Sequence, residues 1–416
     1  PRPLGRNADE LVAAGRSAGV PIGLYFARKA NKALSLVDEV VRRGHGVDVA
    51  SEPELRQVLQ RGVAGDRIIL TAAIKPERLL RLAVRAGVTI SLDSPAEASV
   101  VAGLAASIGM SARVAPRLAP EPELGLPPTR FGARAVHWRQ LPPAGSSLEV
   151  RGVHFHLHGY AAADRARMLA AALDLIKAVR ERGHRPDFVD IGGGVPMSYL
   201  DDAAQWDAWW RAYRRSLAAG DETLTWKNRE LRSAYPFHQA PVRGEWLRDL
   251  LAAPLRTGSV ADALRSAGLR LHLEPGRALL DGCGLTLARV AFVKQRSDGV
   301  DLVGLEMNRT QCRSTSDDFL VDPILAGAAS SGPPLDAFLV GAYCIEDELI
   351  LLRRLHFPQG VMPGDVIGLV NTGGYLMHIL ESASHQIPLA RVVVRTPDGF
   401  EPDPIDAWAE PGPGRG

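Results

Sequence analysis

Long apolar runs, clustered cysteines and an excess of one charge are all missing from this 416-residue chain, and each absence excludes a class of protein. No uninterrupted apolar stretch approaches the roughly 20 residues that a bilayer-spanning helix requires, and no basic segment followed by an apolar one opens the chain. The sequence therefore reads as that of a soluble protein. It begins at Pro1 rather than at methionine, so a removed targeting segment stays open. The three cysteines, Cys283, Cys312 and Cys344, are odd in number, far apart and form no CxxC pair. That pattern supplies neither a disulfide framework nor a cysteine zinc site, and a reducing cytoplasm is the expected location. Basic and acidic residues nearly cancel, 49 against 47, with no Lys/Arg block to mark a nucleic-acid or membrane patch. A small-molecule partner is the expectation.

What the chain does have is 46% hydrophobic residues, enough for a large core, and a length that suggests two domains or a barrel with an appendage. From residue 20 to 280, short β-like runs alternate with amphipathic helical stretches. The strand candidates are Ile22–Phe26, Gly46–Ala50, Arg67–Leu70, Val88–Leu92, Ala112–Ala115, Gly152–Leu157, Phe188–Ile191 and Leu269–Leu273. The helical segments between them include Asn31–Arg43, Glu52–Arg61, Lys75–Ala86, Ser94–Ile108 and Ala161–Arg182. This alternation predicts an α/β fold, a (β/α)8 TIM-like barrel whose chemistry gathers after the C-terminal ends of the strands, with an open doubly wound sheet as the alternative. An insertion at about residues 199–266 carries five of the seven tryptophans, Trp206, Trp209, Trp210, Trp226 and Trp246; it is either a substrate lid or a structural subdomain. Beyond residue 280 come β-runs without long helices: Gly284–Gln295, Val300–Met307, Asp336–Val340, Val366–Val370 and Ala390–Arg395. They predict a mostly antiparallel β domain over 281–400, joined by residues 1–19. The Pro- and Gly-rich tail, 401–416, reads as disordered.

Chemistry-bearing residues collect at the predicted strand ends. Lys29 follows the apolar run Pro21–Phe26, where it is either a solvated loop residue or an amine in use. Gly192, Gly193 and Gly194 follow the strand FVDI, and bare backbone N–H groups there can approach a phosphate. The stretch LHLEPGRALL places Glu274, Gly276 and Arg277 on the same face; arginine and glycine amides suit a phosphate, while the glutamate needs a proton-donating or positive partner. His154, His156 and His158 stand at strand spacing. They are core histidines or, in a rival reading, ligands of a metal-dependent barrel hydrolase. The remaining strand ends suit zinc poorly, and no metal is expected. A lysine, a histidine, a glycine cradle and a glutamate beside Gly-Arg match pyridoxal 5'-phosphate better. Its aldehyde needs an amine, its phosphate needs amides or arginine, its ring needs a stacking partner, and its pyridinium N–H needs an acceptor. A carboxylate at that nitrogen lets the ring absorb an electron pair left at Cα, which points to a carbanion reaction such as decarboxylation.

The pieces YFARKANK, GVDVASEPEL, TRFG, GVHFHLHG, VDIGGGVP, EPGR, GAYC and NTGGY occur in this order between about residues 20 and 395. In this the chain resembles the alanine-racemase-like, fold-type III pyridoxal enzymes, specifically the diaminopimelate, ornithine and arginine decarboxylase group. The resemblance implies a barrel that holds the cofactor, a β domain that completes it, and a head-to-tail homodimer with shared active sites. Carried over by position, it implies that Lys29 joins the cofactor aldehyde, His156 stacks on its ring and Glu274 pairs with its pyridine nitrogen. Gly192, Gly193, Gly194, Gly276 and Arg277 would bind the phosphate, together with Tyr375 from the partner subunit. Cys344, also from the partner, would reprotonate Cα. The departures concern the substrate. Ile345 follows Cys344 where an acidic residue is usual, with Glu346 and Asp347 next, and His158-Gly159 replaces a glycine and a phosphate-binding serine. Arg309 and Arg313 lie one position off the place where diaminopimelate decarboxylases hold a distal carboxylate. The expected function is therefore a pyridoxal-phosphate-dependent decarboxylase of a diamino acid or a modified or conjugated amino acid, in a specialised biosynthetic pathway. A pyridoxal-dependent racemase or epimerase is the alternative, against which the acidic ring partner speaks, since racemases of this fold commonly place an arginine there. A non-enzymatic pyridoxal-binding protein would lack the second domain.

Overall fold

The computed structural model describes residues 2–235, 238–326 and 332–407, divided between two compact units. The first takes residues up to 196, then 241–279, then the chain from 394 onwards. Its sheet contains β1 (Ile22–Ala27), β2 (Gly46–Val49), β3 (Ile68–Leu70), β4 (Thr89–Leu92), β5 (Ala112–Pro116), β6 (Leu148–Val150), β7 (Gly152–His154), β8 (Phe188–Asp190) and β9 (Arg270–Leu273). All neighbours run parallel in the order β6-β5-β4-β3-β2-β1-β9-β8-β7. The two ends of the sheet meet, because β6 and β7 are halves of one strand interrupted at Arg151. The Arg151 N–H donates to the Val114 carbonyl (2.8 Å) and the Leu118 N–H to the His154 carbonyl (2.7 Å), and Arg117 bridges His154 in parallel. The barrel is closed, as the alternation of elements predicts, and the open-sheet alternative falls. Strands β2, β3, β4, β7 and β8 are buried along their whole length, which explains their continuous apolar runs: helices cover one face and the barrel core fills the other.

Several helices of the barrel begin or end for a local reason. Ser51 and Ser94 accept the N–H groups of Glu54 and Glu97, with proline in the first turn of both helices, Glu52–Gln60 and Pro95–Ser107, so an otherwise unpaired donor is satisfied. At the other end Gly44, Gly62, Gly87, Gly109, Gly183 and Gly268 each directly follow a helix C-cap with φ between +62° and +86°. Only glycine takes this left-handed turn without steric cost, so the repeated glycine stops the helix and sends the chain back into the next strand.

Three boundaries differ from expectation. Residues 1–19 do not join the β domain: the helix Arg2–Ser17 buries Leu4, Ala8 and Leu11 completely and packs on the helix Arg243–Ala252 and on β1. Its buried Asn7 donates to the Leu279 carbonyl at 3.0 Å. The 199–266 segment is not one subdomain either. Residues 241–266 form helices Arg243–Ala252 and Val260–Ser266 of the barrel's own outer layer, while 197–240 belong to the second unit. The tail is ordered as far as residue 407. There Asp403, 1% exposed, accepts the N–H groups of Leu34 (2.9 Å) and Ser35 (3.0 Å) at the start of the helix Leu34–Arg42. Residues 408–416, the rest of the tail expected to be disordered, lie outside the described residues.

The second unit is built on a six-stranded sheet. Its strands are β10 (Leu285–Gln295), β11 (Asp301–Leu305), β12 (Ile324–Ala326), β13 (Leu335–Val340), β14 (Leu355–Phe357) and β15 (Val366–Val370). They lie in the order β12-β15-β10-β11-β13-β14, antiparallel except for β11 against β13. The strand expected over Ala390–Arg395 is Val393–Thr396, which pairs with Gly399–Pro402 outside this sheet. Side chains alternate between two cores, as a strand requires: Val303, Leu305, Ala337 and Leu339 face one, Leu302 and Phe338 the other. The second core is completed by Tyr213, Trp226 and Leu231 of the tryptophan-bearing segment, and Trp226 meets Phe338 edge-on with centroids 5.2 Å apart. This part of the insertion is therefore a cover over one sheet face.

Replacing Asp403 by alanine removes the acceptor for the Leu34 and Ser35 amides. We expect the folded protein to lose about 1–2 kcal/mol, read as a lower urea midpoint at unchanged slope; an unchanged midpoint contradicts the cap.

Candidate active site

The first unit's site grows from the end of β1. After Ala27, whose N–H is held by the Pro275 carbonyl (3.3 Å), the chain enters the short 3-10 turn Arg28–Ala30. Arg28 is buried beneath it and donates to the carbonyls of Asn31 and Lys32 and to Gln57 Oε1. That anchor leaves the side chain of Lys29 41% exposed at the barrel mouth, with Nζ 2.8 Å from Asp48 Oδ2. Asp48, on β2, is fully enclosed, and its second oxygen accepts the Thr71 hydroxyl. Burial pushes its pKa up to about 6, against the pull of the Lys29 charge.

Deeper in, three groups from β7, β8 and the end of β9 converge: ligand atoms of His154, Asp190 and Glu274 all lie within 4.8 Å of one another. His154 Nε2 is 3.5 Å from Glu274 Oε1, and its Nδ1 is 3.0 Å from Ser91 Oγ. Burial holds both carboxyl groups above the usual range, with the mutual repulsion of Asp190 and Glu274 adding to the first. It also holds His154 well below its ordinary value, hence neutral, so this contact is not an ion pair. Lys29 and Arg117 are the cations that draw Glu274 down; Arg117 is 7% exposed and lies over the Phe131 ring at 4.3 Å. Glu274 Oε1 and Asp190 Oδ2 have no hydrogen-bond partner. A buried carboxyl oxygen left this way is costly unless something binds to it.

His156 follows β7 and accepts the Gly193 N–H at Nδ1 (3.1 Å), which leaves the proton of the neutral ring on Nε2. The glycine loop is confined. A Cβ on Gly192 would stand 2.8 Å from His156 Nδ1, one on Gly194 2.1 Å from a guanidinium nitrogen of Arg165, and both glycines have positive φ. The loop is tied to the EPGR segment through Glu274 N–H and the Gly192 carbonyl (2.9 Å), with Gly276 buried and Arg277 half-buried beside it in sequence.

Lys29, His156, Gly192–Gly194, Glu274, Gly276 and Arg277 are thus brought together in one unit. The rival metal reading of the three histidines lacks its geometry, since His158 is exposed whereas His154 is buried, and the ligand atoms that converge are those of His154 with Asp190 and Glu274. One expectation changes. The glycine amides are not all bare: Gly192 N–H goes to Asp190 Oδ1 (2.8 Å) and Gly193 N–H to His156. Sequence reasoning also passed over Asp48, Asp190, Arg117 and Arg165. For the two aspartates the signal was a lone charge inside an apolar strand, GVDVA and FVDI; the two arginines carried none.

Cys344, Tyr375, Arg309, Arg313, Glu346 and Asp347 lie in the second unit. Cys344 is exposed, and Tyr375 has φ +66°, a conformation that non-glycine residues adopt at a cost. The four substrate candidates are already engaged. Glu346 pairs with Lys227 (3.1 Å) and Asp347 with Arg229 (2.6 Å). Arg309 donates to the Asp347 carbonyl (3.1 Å) and faces Glu348 (3.5 Å), and Arg313 donates to the Leu349 carbonyl (3.1 Å). Beside Cys344 a cavity of about 580 Å³ is lined by Trp226, Phe292, Arg296, Tyr343 and Glu348 among others.

The chain is similar to known proteins over most of its length. Residues 9–224 match the model of the pyridoxal-dependent decarboxylase family, pyridoxal binding domain. The uncharacterized protein y4yA of Sinorhizobium fredii is 34% identical over 378 residues, 88% of this chain and 80% of that one. Diaminopimelate decarboxylase of Zymomonas mobilis is 29% identical over 384 residues, 89% and 80% of the respective chains. The crystal structure of diaminopimelate decarboxylase from Helicobacter pylori complexed with L-lysine superposes with a TM-score of 0.72 at 18% identity, over 96% of this chain and 91% of that one. Family match and barrel site together place this chain in the pyridoxal-dependent decarboxylase family.

Proposed function

We infer that this chain is a pyridoxal-phosphate-dependent amino-acid decarboxylase, and the observation that carries the reading is the orphaned, buried Oε1 of Glu274 behind an exposed lysine amine. The residues fit the cofactor by their own chemistry. Lys29 offers the amine for its aldehyde, His156 a neutral ring beside the glycine loop, and Glu274 an acceptor for a ring N–H. When bound, pyridoxal phosphate supplies a sink for the electron pair left at Cα after the carboxylate departs.

The protein's own part is positioning and proton handling. Asp48 holds the Lys29 ammonium at the mouth; its carboxyl loses its proton near pH 6, so the pair is complete above that pH and broken below it. Glu274, whose buried Oε1 has no hydrogen-bond partner, would accept the ring N–H and keep that nitrogen protonated, which preserves the ring's capacity to take up the electron pair. We assign the proton returned to Cα to the Cys344 thiol of a second copy, in a head-to-tail homodimer that also contributes Tyr375. For the substrate we propose an amino acid whose distal part occupies the cavity beside Cys344. Arg309, Arg313, Glu346 and Asp347 then shape that cavity through the pairs they already make, while Trp226 and Phe292 offer apolar contact to a modified or conjugated side chain.

Borohydride treatment of the yellow holoenzyme should fix the cofactor to the peptide containing Lys29, and Lys29→Ala should abolish both the fixation and carbon dioxide release; label on another lysine sinks the assignment. Glu274→Gln should still bind the cofactor yet release carbon dioxide at least about 100-fold more slowly, measured under saturating cofactor. If the site is shared between copies, mixing inactive Lys29→Ala and Cys344→Ala proteins and letting subunits exchange should restore about a quarter of wild-type activity, since half the dimers then carry one intact site. No recovery after proven exchange would place Cys344 outside the partner's site.

A further inference from the structure

Arg165 is the largest unexplained charge in the first unit. It sits in the first turns of the helix Ala162–Glu181 and is 0% exposed. Among the described residues no carboxylate pairs with it; its neighbour Asp164 is taken by Arg167. Its partners are neutral carbonyls: one terminal nitrogen donates to Gly159 (2.8 Å), Leu157 (3.2 Å) and Gly193 (3.4 Å), the other to Ala161 (3.5 Å). Trp246 supports it from behind, with the guanidinium carbon 5.3 Å from the ring centroid and the indole N–H donating to the Tyr160 carbonyl (2.6 Å).

A buried guanidinium that hydrogen-bonds only to neutral carbonyls, with Asp164 acting on it through its field alone, is electrostatically incomplete, because taking the charge out of water is costly unless an anion restores it. Both loops that it holds are those facing the glycine cradle, and Gly194 lies so close over it that a Cβ there would reach 2.1 Å from its nitrogen. By drawing the carbonyls of Leu157, Gly159 and Gly193 inward, it fixes the faces that these loops turn outward. The cradle needs that help, because the Gly192 and Gly193 amides are engaged by Asp190 and His156.

We propose that Arg165 is the positioning residue of the phosphate site: it clamps the His156–Gly159 and Gly192–Gly194 loops together and supplies the charge that a phosphate dianion balances. This rests on the pyridoxal phosphate reading above. The test compares the affinities of the apoenzyme for pyridoxal 5'-phosphate and for unphosphorylated pyridoxal, in wild type, Arg165→Gln and Arg165→Lys, with circular dichroism to confirm folding. The wild type should prefer the phosphorylated form. The preference should fall about 100-fold in Arg165→Gln, which loses the charge, and about 10-fold in Arg165→Lys, which loses the planar fork. Affinity for pyridoxal itself should change less than about threefold, since that molecule lacks the balancing anion. An unchanged preference in either folded variant overturns the assignment of Arg165 and leaves the cofactor reading intact. Failure of the wild type to bind either compound overturns the cofactor reading itself.

Discussion

The enclosure of Asp48, Asp190 and Glu274 within one barrel is the constraint on which the rest of the first unit turns. Three carboxyl groups that share a dry interior cannot all be ionised without cations, and the unit supplies them sparingly: Lys29 by contact with Asp48, Arg117 by its field, and nothing at all on Oε1 of Glu274. His154 does not help, because burial keeps it neutral. The result is an interior with a standing demand for positive charge at one edge and, around Arg165, a demand for negative charge at the other. A planar molecule with a cationic ring nitrogen and a dianionic phosphate answers both demands. Burial that would only destabilise an ordinary domain becomes binding energy once such a ligand is present.

The barrel makes that enclosure affordable in structural terms. Closure through the Arg117–His154 bridge leaves no sheet edge, and both bridging residues point their chemistry at the same centre. The strand that closes the ring therefore also carries the histidines, and its interruption at Arg151 lets one half pair with β5 and the other with β8. Helix-ending glycines keep the returning loops short at the opposite end, so the loops at the site end are free to hold function.

Much of this was legible in the sequence, and what was not has a physical cause. Periodicity located eight of the nine strands of the barrel sheet, missing only β6, and five helices to within a few residues, because fully buried strands must be apolar and covering helices must be two-faced. The histidine stretch misled, since alternation implies one face only while the strand persists, and β7 ends at His154. After that point His156 and His158 follow loop geometry, one turned to Gly193 and the other exposed. The N-terminal helix and residues 241–266 were misallocated because an amphipathic helix does not announce which of two cores it covers; Trp246 reads the same from either side. Arg165 was unreadable for a sharper reason. A buried arginine in an Arg- and Ala-rich helix looks like its exposed neighbours, and only the carbonyls around it set it apart.

The second unit follows a different logic. Its sheet has two apolar faces, and the tryptophan-bearing segment covers one of them, so those tryptophans are explained by burial before any ligand is invoked. The same segment extends Lys227 and Arg229 to Glu346 and Asp347, the acidic pair that directly follows Cys344 and Ile345. Cover and cysteine loop are thus held together by charge, and the indole of Trp226, fixed by Phe338 on one side, forms a wall of the cavity on the other. A chain without this segment would leave both the sheet face and that cavity open. The insertion therefore cannot be lost or reshaped without altering the surroundings of Cys344, which couples the unit's stability to the shape of the space beside that exposed cysteine.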